Sequence, residues 1–407
     1  MKNKIILSLF CSAMVTTSYG KGLYYIPNDT EDAVPISWSV GVSAMWDDNV
    51  TPVSPFNEES SMSLNPFVGV SFVSVTPQTT WNVYARLGAV YYFDKPTTMQ
   101  DDVYSQSRAS VSLTHRFNER LRFVSNNSLA YELEPDYAYG FATDRRSGEY
   151  FFWRTDNALG YRWSERFATY TGFVLDGLKY RDSSDADRVS WTVYNQFRYQ
   201  LTPRTVGTAT YRYQKSEGGG VASDQAYQFL LVGVEHRFSP NTILVVNAGG
   251  QLRDDLGQFG SDGSNPYIDM TLRTQVNEQF SISGFLRYGV EFYDTVQQQG
   301  PVIIEYDDKM TLRVGIQGSY QVSPDLTLFS GIDYIYGSYQ DGFNVVNGGR
   351  GLQDAEEKLF NISIGASMKL TEYLFGSVSY NFTNSNSDFN NSSYDRNRVS
   401  LGLNAEF

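Results

Sequence analysis

The sequence has 407 residues and a formal net charge of −13, and although only 41% of its residues are hydrophobic, 15% are aromatic. A disordered chain would be poor in aromatic residues, and a nucleic-acid-binding protein would carry a basic patch. Beyond residue 20, no run of 18 or more apolar residues occurs, which excludes a helical membrane protein. The enriched residue types are aromatic, β-branched and turn-forming, and they favour an all-β fold.

The start of the chain has the layout of a cleaved secretory signal peptide. Two lysines precede the apolar stretch Ile5–Cys11, and small residues then lead to Gly20. We expect cleavage after Gly20 (residues 1–20 being the signal), then a short periplasmic segment over residues 21–33 and a barrel over residues 34–407. Cleavage would remove Cys11, the single cysteine of the sequence, so the exported chain would fold without a disulfide.

From about Val34 onward, apolar and polar residues alternate over unusually long stretches, as in Trp81–Phe93, Phe280–Phe292 and Met310–Tyr320. A period of two places the apolar residues on one face of a strand and the polar residues on the other. Ordinary strands have about five or six residues, whereas a strand that crosses a membrane needs roughly nine to eleven. The pattern therefore predicts membrane-spanning strands.

Tight links alternate between these strands with longer polar loops, such as Asp47–Ser61, Pro135–Glu149, Thr295–Asp308 and Tyr339–Glu356. The tight links lie at residues 76–79, 118–120, 164–166, 202–204, 239–241, 277–279, 323–325 and 371–373. Short periplasmic turns and long outer loops are typical of a bacterial outer-membrane protein. We predict a transmembrane antiparallel up-and-down β-barrel of about 18 strands, with 16 as the other possibility. A soluble β-sandwich is the alternative fold, but it would need a second apolar face that this repeated meander does not show.

The last strand alternates in the same way and closes on Phe407, and this ending resembles the signal that the outer-membrane assembly machinery recognises. The opening strand Ser37–Asn49 ends in Trp46-Asp47-Asp48-Asn49, and the closing strand contains the run Tyr394–Val399. With these motifs the chain resembles the β-barrel porin 2 family of Gram-negative outer-membrane proteins. The resemblance implies a barrel over the whole mature region and a pore role, and it implies nothing about the solute.

The polar face of the predicted strands carries many charges. A charged side chain that faces lipid at mid-depth costs about 2–4 kcal/mol, so we expect this face to line a wet interior. The predicted pore-lining residues are Arg86, Arg108, Arg122, Arg154, Asp156, Arg198, Arg212, Asp269, Arg273, Arg287, Glu291, Arg313 and Asp333. Basic residues outnumber acidic ones, which predicts a basic lumen, although the charges could instead pair across strands and only stiffen the wall.

A closed sheet of this size is too wide for side chains to fill, so we expect a water-filled channel. An outer loop folded inward, either Pro135–Glu149 or Tyr339–Glu356, could narrow it. Acidic pairs fall mainly in the predicted outer loops, where a solvated rim is the favoured interpretation and Ca²⁺ or a divalent bridge to lipopolysaccharide is the alternative. They occur at Asp47-Asp48, Asp101-Asp102, Asp254-Asp255, Asp307-Asp308 and Glu356-Glu357.

Neither histidine has the pattern of a catalytic residue. His115 and His236 each precede a tight turn in the phase of the apolar face, which places them at headgroup depth beside the aromatic girdle. No nucleophile motif accompanies them, so we expect no enzyme activity and no cofactor. A barrel enzyme would require a hydrolytic activity that is lost when either histidine is changed.

The sequence thus predicts an outer-membrane, porin-like channel for passive diffusion of small hydrophilic solutes, with weak anion preference, a basic lumen and acidic outer loops. The alternative is a non-conducting structural or adhesive barrel that binds a surface partner through its loops. Expected partners are outer-membrane lipid, lipopolysaccharide, the assembly machinery and small solutes, but no nucleic acid. The sequence leaves the solute and the oligomeric state open.

Overall fold

The computed structural model describes residues 34–51, 58–97, 99–133, 149–181, 187–219, 224–255, 262–291, 296–299, 302–344, 349–352, 354–389 and 392–407. Within these ranges the chain forms a single sheet of 21 strands. The strands are β1 (Val34–Asp47), β2 (Ser61–Val75), β3 (Thr79–Tyr92), β4 (Val103–Ser105), β5 (Ser107–Arg116), β6 (Leu121–Glu132), β7 (Tyr150–Arg162), β8 (Phe167–Tyr180), β9 (Arg188–Thr202), β10 (Thr205–Gly218), β11 (Gln225–Ser239), β12 (Thr242–Asp255), β13 (Gly263–Gln275), β14 (Phe280–Val290), β15 (Val296–Gln299), β16 (Val302–Ser323), β17 (Leu326–Asn344), β18 (Arg350–Leu352), β19 (Ala355–Lys369), β20 (Leu374–Ser387) and β21 (Tyr394–Glu406).

The sheet closes on itself as an antiparallel barrel. β1 pairs with β2 on one side and with β21 on the other, over Ser39–Asp47 against Arg398–Glu406. Three short strands, β4, β15 and β18, belong to the outer connections, and the other 18 form the wall. The predicted barrel of about 18 strands is confirmed. None of the described residues belongs to a helix that is long and apolar enough to span a membrane.

All eight predicted tight turns join consecutive wall strands, and each begins with a serine, threonine or asparagine. The side-chain oxygen of that residue accepts a backbone N–H two or three positions later. In the β5–β6 turn, for example, Asn118 Oδ1 accepts the N–H groups of Arg120 and Leu121, both at 2.8 Å. This local bond gives the chain its turn without help from distant residues.

The two faces of the wall differ as the alternation predicts. Outward residues such as Leu87, Val232 and Leu401 are 60–68% exposed, although they are large and apolar. A broad exposed apolar surface of this kind fits a lipid environment. Inward residues of the wall include buried arginines, carboxylates and amides, as well as buried aromatic and aliphatic side chains.

The aromatic residues are not confined to the lipid-facing side of the wall. Many rings point inward, and each of five lies over the glycine directly opposite it on the next strand. The pairs are Phe67 with Gly41, Tyr170 with Gly160, Tyr194 with Gly172, Phe285 with Gly315 and Phe329 with Gly365. Because glycine has no Cβ, the ring can lie flat along the wall, where it shields the backbone of the glycine.

Two outer connections contain more strand than the sequence predicts. Residues 295–308 and 339–356 were expected to be loops, yet β16 has 22 residues and β17 has 19. The extension is stabilised by a buried cluster of Ile304, Tyr306, Tyr339, Ala355 and Phe389. The predicted signal peptide, the predicted periplasmic segment 21–33 and residues 135–148 of a proposed constriction lie outside the described residues.

Candidate functional site: the inner face of the barrel

The inner face is the candidate functional surface. The registers place twelve predicted pore-lining residues on it: Arg86, Arg108, Arg122, Arg154, Asp156, Arg198, Arg212, Asp269, Arg273, Arg287, Arg313 and Asp333. The thirteenth, Glu291, directly follows β14 and forms an ion pair with the inward Arg313. Neighbouring strands are aligned so that charged residues lie directly opposite one another on this face: Arg86 opposite Arg108, Asp269 opposite Arg287, and Arg287 opposite Arg313. Charged residues of neighbouring strands therefore share the inner face of the wall.

Several of these charges form short ion pairs along the wall. Arg313 binds Glu291 through two nitrogens, Nε at 2.6 Å and Nη2 at 2.7 Å. Arg108 binds Glu132 in the same two-point manner, at 2.8 Å for each contact. Such paired contacts fix the guanidinium plane and hold the side chain along the wall. These arginines contribute less free positive charge to the interior than the sequence count suggests.

A third ion pair, between Arg198 and Glu235, is almost fully buried. Arg198 Nη2 donates to Glu235 Oε2 at 2.7 Å, and Arg198 Nη1 donates to Gln196 Oε1 at 2.8 Å. Both ionic side chains are at most 3% exposed. A buried charge without its partner would be costly, so this pair is a structural element of the β9–β11 wall.

The predicted carboxylate Asp156 belongs to a small network across β7–β9. Its Oδ1 accepts the hydroxyl proton of Tyr194 at 3.1 Å, while the neighbouring Asp176 lies 3.5 Å from Arg154. Asp176 Oδ2 also accepts the hydroxyl proton of Ser190 at 3.3 Å. The network joins three adjacent strands, which the sequence alternation could place on one face but could not pair.

Other inward arginines also contact aromatic rings. The guanidinium carbon of Arg86 lies 3.8 Å from the ring centre of Phe67, and that of Arg212 lies 4.9 Å from Phe229. Stacking of this kind retains the positive charge of the guanidinium group. Arg287 lies 3.8 Å from Asp269, which is a looser ion pair. These side chains are the better candidates for contact with a solute.

Four almost fully buried basic residues on the inner face were not among the predicted lining residues: Arg188, Arg253, Lys309 and Arg396. All four are at most 2% exposed. They share the parity of the predicted residues but lie near the outer ends of their strands. Extending each alternating run outward by a few residues would have found them.

The two motifs behind the family resemblance meet at the barrel seam. Arg396 Nε lies 3.1 and 3.0 Å from the two carboxylate oxygens of Asp47, and both side chains are at most 3% exposed. The carboxylate of Asp48 accepts the backbone and side-chain N–H groups of Asn397, at 2.6 and 2.7 Å. The interpretation of Asp47-Asp48 as part of a solvated rim is wrong for Asp47, because its carboxylate is buried against Arg396.

At the outer end, Glu149 joins several connections. Its carboxylate accepts the backbone N–H of Ser105 at 2.6 Å, the hydroxyl proton of Tyr131 at 3.0 Å and a guanidinium proton of Arg181 at 2.8 Å. The hydrogen bond to Glu149 raises the pKa of Arg181, which also forms an ion pair with Asp101 at 3.2 Å. The predicted acidic pair at Asp101 is thus partly neutralised by Arg181.

The two histidines have matching environments on the lipid-facing side of the wall, beside the tight turns. Nδ1 of His115 lies 2.8 Å from the hydroxyl of Thr79, and Nδ1 of His236 lies 2.9 Å from that of Thr205. Each ring also packs edge-on against the phenylalanine two residues later. In the described part of the chain, no three histidine, cysteine or acidic side chains come together as a metal site would require.

The fold and the inner face define a membrane-type β-barrel with an apolar exterior and a polar, charged interior. No protein-family model and no curated protein matches the chain. Among solved structures, it is similar to OccAB4 of Acinetobacter baumannii, with 14% identity, a TM-score of 0.46 and coverage of 94% of this chain and 100% of that one. It is also similar to a BenF-like porin of Pseudomonas fluorescens Pf-5, with 11% identity, a TM-score of 0.48 and coverage of 92% of this chain and 99% of that one. The similarity to the outer-membrane protein OpdK of Pseudomonas aeruginosa has 13% identity, a TM-score of 0.46 and coverage of 91% of this chain and 99% of that one.

Proposed function

We propose that the protein is an outer-membrane channel through which small hydrophilic solutes diffuse passively. The observation that supports this most directly is the closed wall of 18 strands, apolar outside and charged inside. A barrel of this strand number has an interior wider than its own side chains can fill. Water and small solutes would occupy the remaining space.

Conduction is tested by inserting the purified protein into a planar lipid bilayer. We expect stepwise increases in current as single barrels insert. A barrel that is demonstrably folded and inserted but produces no current steps would contradict the channel function.

The proposed channel has a basic lumen and a weak preference for anions. The partly exposed arginines of the inner face, such as Arg86, Arg122 and Arg273, supply the positive field in this proposal. Reversal potentials measured in a salt gradient test the preference. Clear cation selectivity would contradict the proposed lumen charge.

The same proposal includes export by a cleaved signal peptide over residues 1–20 and recognition of Phe407 by the outer-membrane assembly machinery. Phe407 exchanges backbone hydrogen bonds with Trp38 at 2.8 and 3.0 Å, beside the seam between β1 and β21. Mass determination of the protein from outer membranes tests the cleavage. Reduced membrane levels of Phe407→Ser, with unchanged synthesis, would support the assembly role.

The second candidate function is a non-conducting barrel that binds a surface partner through its outer connections. It is favoured by the close packing near the outer end, where Tyr306 and Tyr339 are at most 1% exposed and Phe389 is 6% exposed. The bilayer experiment separates the two candidates, since only a channel carries current.

A further inference from the structure

The outward face of β6–β9 differs from an ordinary lipid-facing surface because it carries polar residues. Ser125 and Asn127 of β6 lie beside Asn157 and Thr155 of β7, in direct register. All four have the parity of the exposed residues Leu129 and Leu159, and they therefore point away from the lumen. Two strands further on, Asn195 of β9 lies opposite Thr171 of β8 on the same face.

The four residues of β6 and β7 form a closed ring of hydrogen bonds. Ser125 Oγ donates to Asn157 Oδ1 at 2.8 Å, and Asn157 Nδ2 donates to Thr155 Oγ1 at 2.7 Å. Thr155 Oγ1 donates to Asn127 Oδ1 at 2.6 Å, and Asn127 Nδ2 returns to Ser125 Oγ at 3.0 Å. Each amide nitrogen carries a second hydrogen, which the ring does not use.

The second polar group is less complete. Asn195 Nδ2 donates to Thr171 Oγ1 at 2.8 Å. Asn195 Oδ1 has little exposure and accepts no hydrogen bond from any described residue. An acceptor without a donor in an apolar environment costs free energy, so this polar group is unfavourable where only acyl chains surround it.

The asparagines lie near the middle of their strands, midway between pairs of outward aromatic residues. Asn127 is four residues from both Phe123 and Tyr131, which is about 13 Å along the strand in each direction. The same spacing holds for Asn157 between Trp153 and Tyr161, and for Asn195 between Trp191 and Tyr199. Acyl chains fill this depth of a bilayer and offer no hydrogen-bonding groups.

The opposite side of the barrel has apolar residues at the corresponding height. Outward mid-strand positions there include Ile316 of β16, Ile332 of β17 and Ile364 of β19, all 45–56% exposed. The polar residues on β6–β9 are therefore a local feature of one side of the wall. We call the outward residues Ser125, Asn127, Thr155, Asn157, Thr171 and Asn195 the midplane polar patch.

We propose that the midplane polar patch is the contact surface between copies of this chain in the membrane. Copies inserted in the same direction hold the patch at the same depth, and a rotation axis along the membrane normal brings one patch against another. Asparagine, serine and threonine both donate and accept hydrogen bonds, so the patch is complementary to itself. Exposed apolar residues around it, including Phe173 and Val193, supply the packing surface.

Site-specific cross-linking in intact outer membranes tests the proposal, because Cys11 is the sole cysteine in the full sequence. Asn157→Cys and Asn195→Cys are treated with a flexible bis-maleimide, and Ile332→Cys serves as a matched outward control on the opposite side. We expect a covalent multimer of this chain for the patch variants and monomer for the control. Monomer for the patch variants, equal cross-linking of the control, or a product that contains a different protein would overturn the proposal.

A second variant tests the contribution of the amides. The triple substitution Asn127→Leu, Asn157→Leu, Asn195→Leu removes the three side-chain amides and keeps the lipid-facing side of the wall compatible with lipid. We expect the unsubstituted protein to run as a multimer in mild detergent and the triple variant as a monomer, while both keep the heat-dependent gel mobility of a folded barrel. A folded triple variant that remains multimeric would contradict the role of the patch. Neither experiment depends on whether the barrel conducts.

Discussion

At the scale of single residues, the most consequential contact is the buried pair of Asp47 and Arg396. It joins the first and last wall strands, which carry the end-to-end closure of the barrel. Removing one member of a buried ion pair leaves an uncompensated charge and typically costs about 3–5 kcal/mol. The seam therefore concentrates stability in two side chains that are 349 positions apart.

We predict that Asp47→Ala lowers the urea concentration at which the barrel unfolds, because Arg396 is left buried without its carboxylate. Asp102→Ala is the matched control, since that carboxylate is 58% exposed and has only a distant contact with Lys95. Unfolding is monitored by tryptophan fluorescence. Equal urea midpoints for the two variants would contradict a stabilising role of the Asp47–Arg396 pair.

At the scale of strands, adjacent glycines on β12 have opposite surroundings. A Cβ added at Gly249 would overlap the backbone carbonyl oxygen of Leu230 on β11, whereas one added at Gly250 would meet no atom within 4 Å. The first change requires a shift of the backbone and the second does not. Close approach of two strands, rather than turn geometry, accounts for the glycine at position 249.

We predict that Gly249→Ala destabilises the folded barrel by roughly 1–3 kcal/mol, as expected for an overpacked site. Gly250→Ala should leave stability unchanged or slightly higher, because alanine loses less entropy than glycine in a strand. The unfolding midpoints of the two variants check this. A larger loss for Gly250→Ala would show that the spacing between β11 and β12 is not what restricts position 249.

At the scale of the whole barrel, the proposed anion preference depends on inner-face arginines that are partly exposed. Arg122 and Arg273 are of this kind, whereas Arg198 and Arg313 are buried in ion pairs. We predict that Arg122→Glu combined with Arg273→Glu shifts the reversal potential toward cation selectivity. Arg166→Glu, in the exposed β7–β8 turn, should leave the reversal potential unchanged. A double variant with wild-type selectivity would place the selectivity-determining charge elsewhere.

The parts of the fold that the sequence predicts are those determined by short-range patterns. The turns were predicted because residues such as Asn118 and Asn277 cap them locally. The inward phase of Arg86 and Arg313 follows from the period of two along each strand. The Asp47–Arg396 contact and the packing of Tyr306 against Phe389 were not predictable, because they join residues far apart in the chain.

The central claim is a water-filled conduit through the closed wall. Single-channel conductance in a planar bilayer, measured with neutral polymers of graded size, tests it most directly. Polymers small enough to enter should lower the conductance, and larger ones should leave it unchanged, with the transition giving the width of the bore. A folded, inserted barrel without conductance, or one whose conductance no polymer changes, would contradict a passive channel for small solutes.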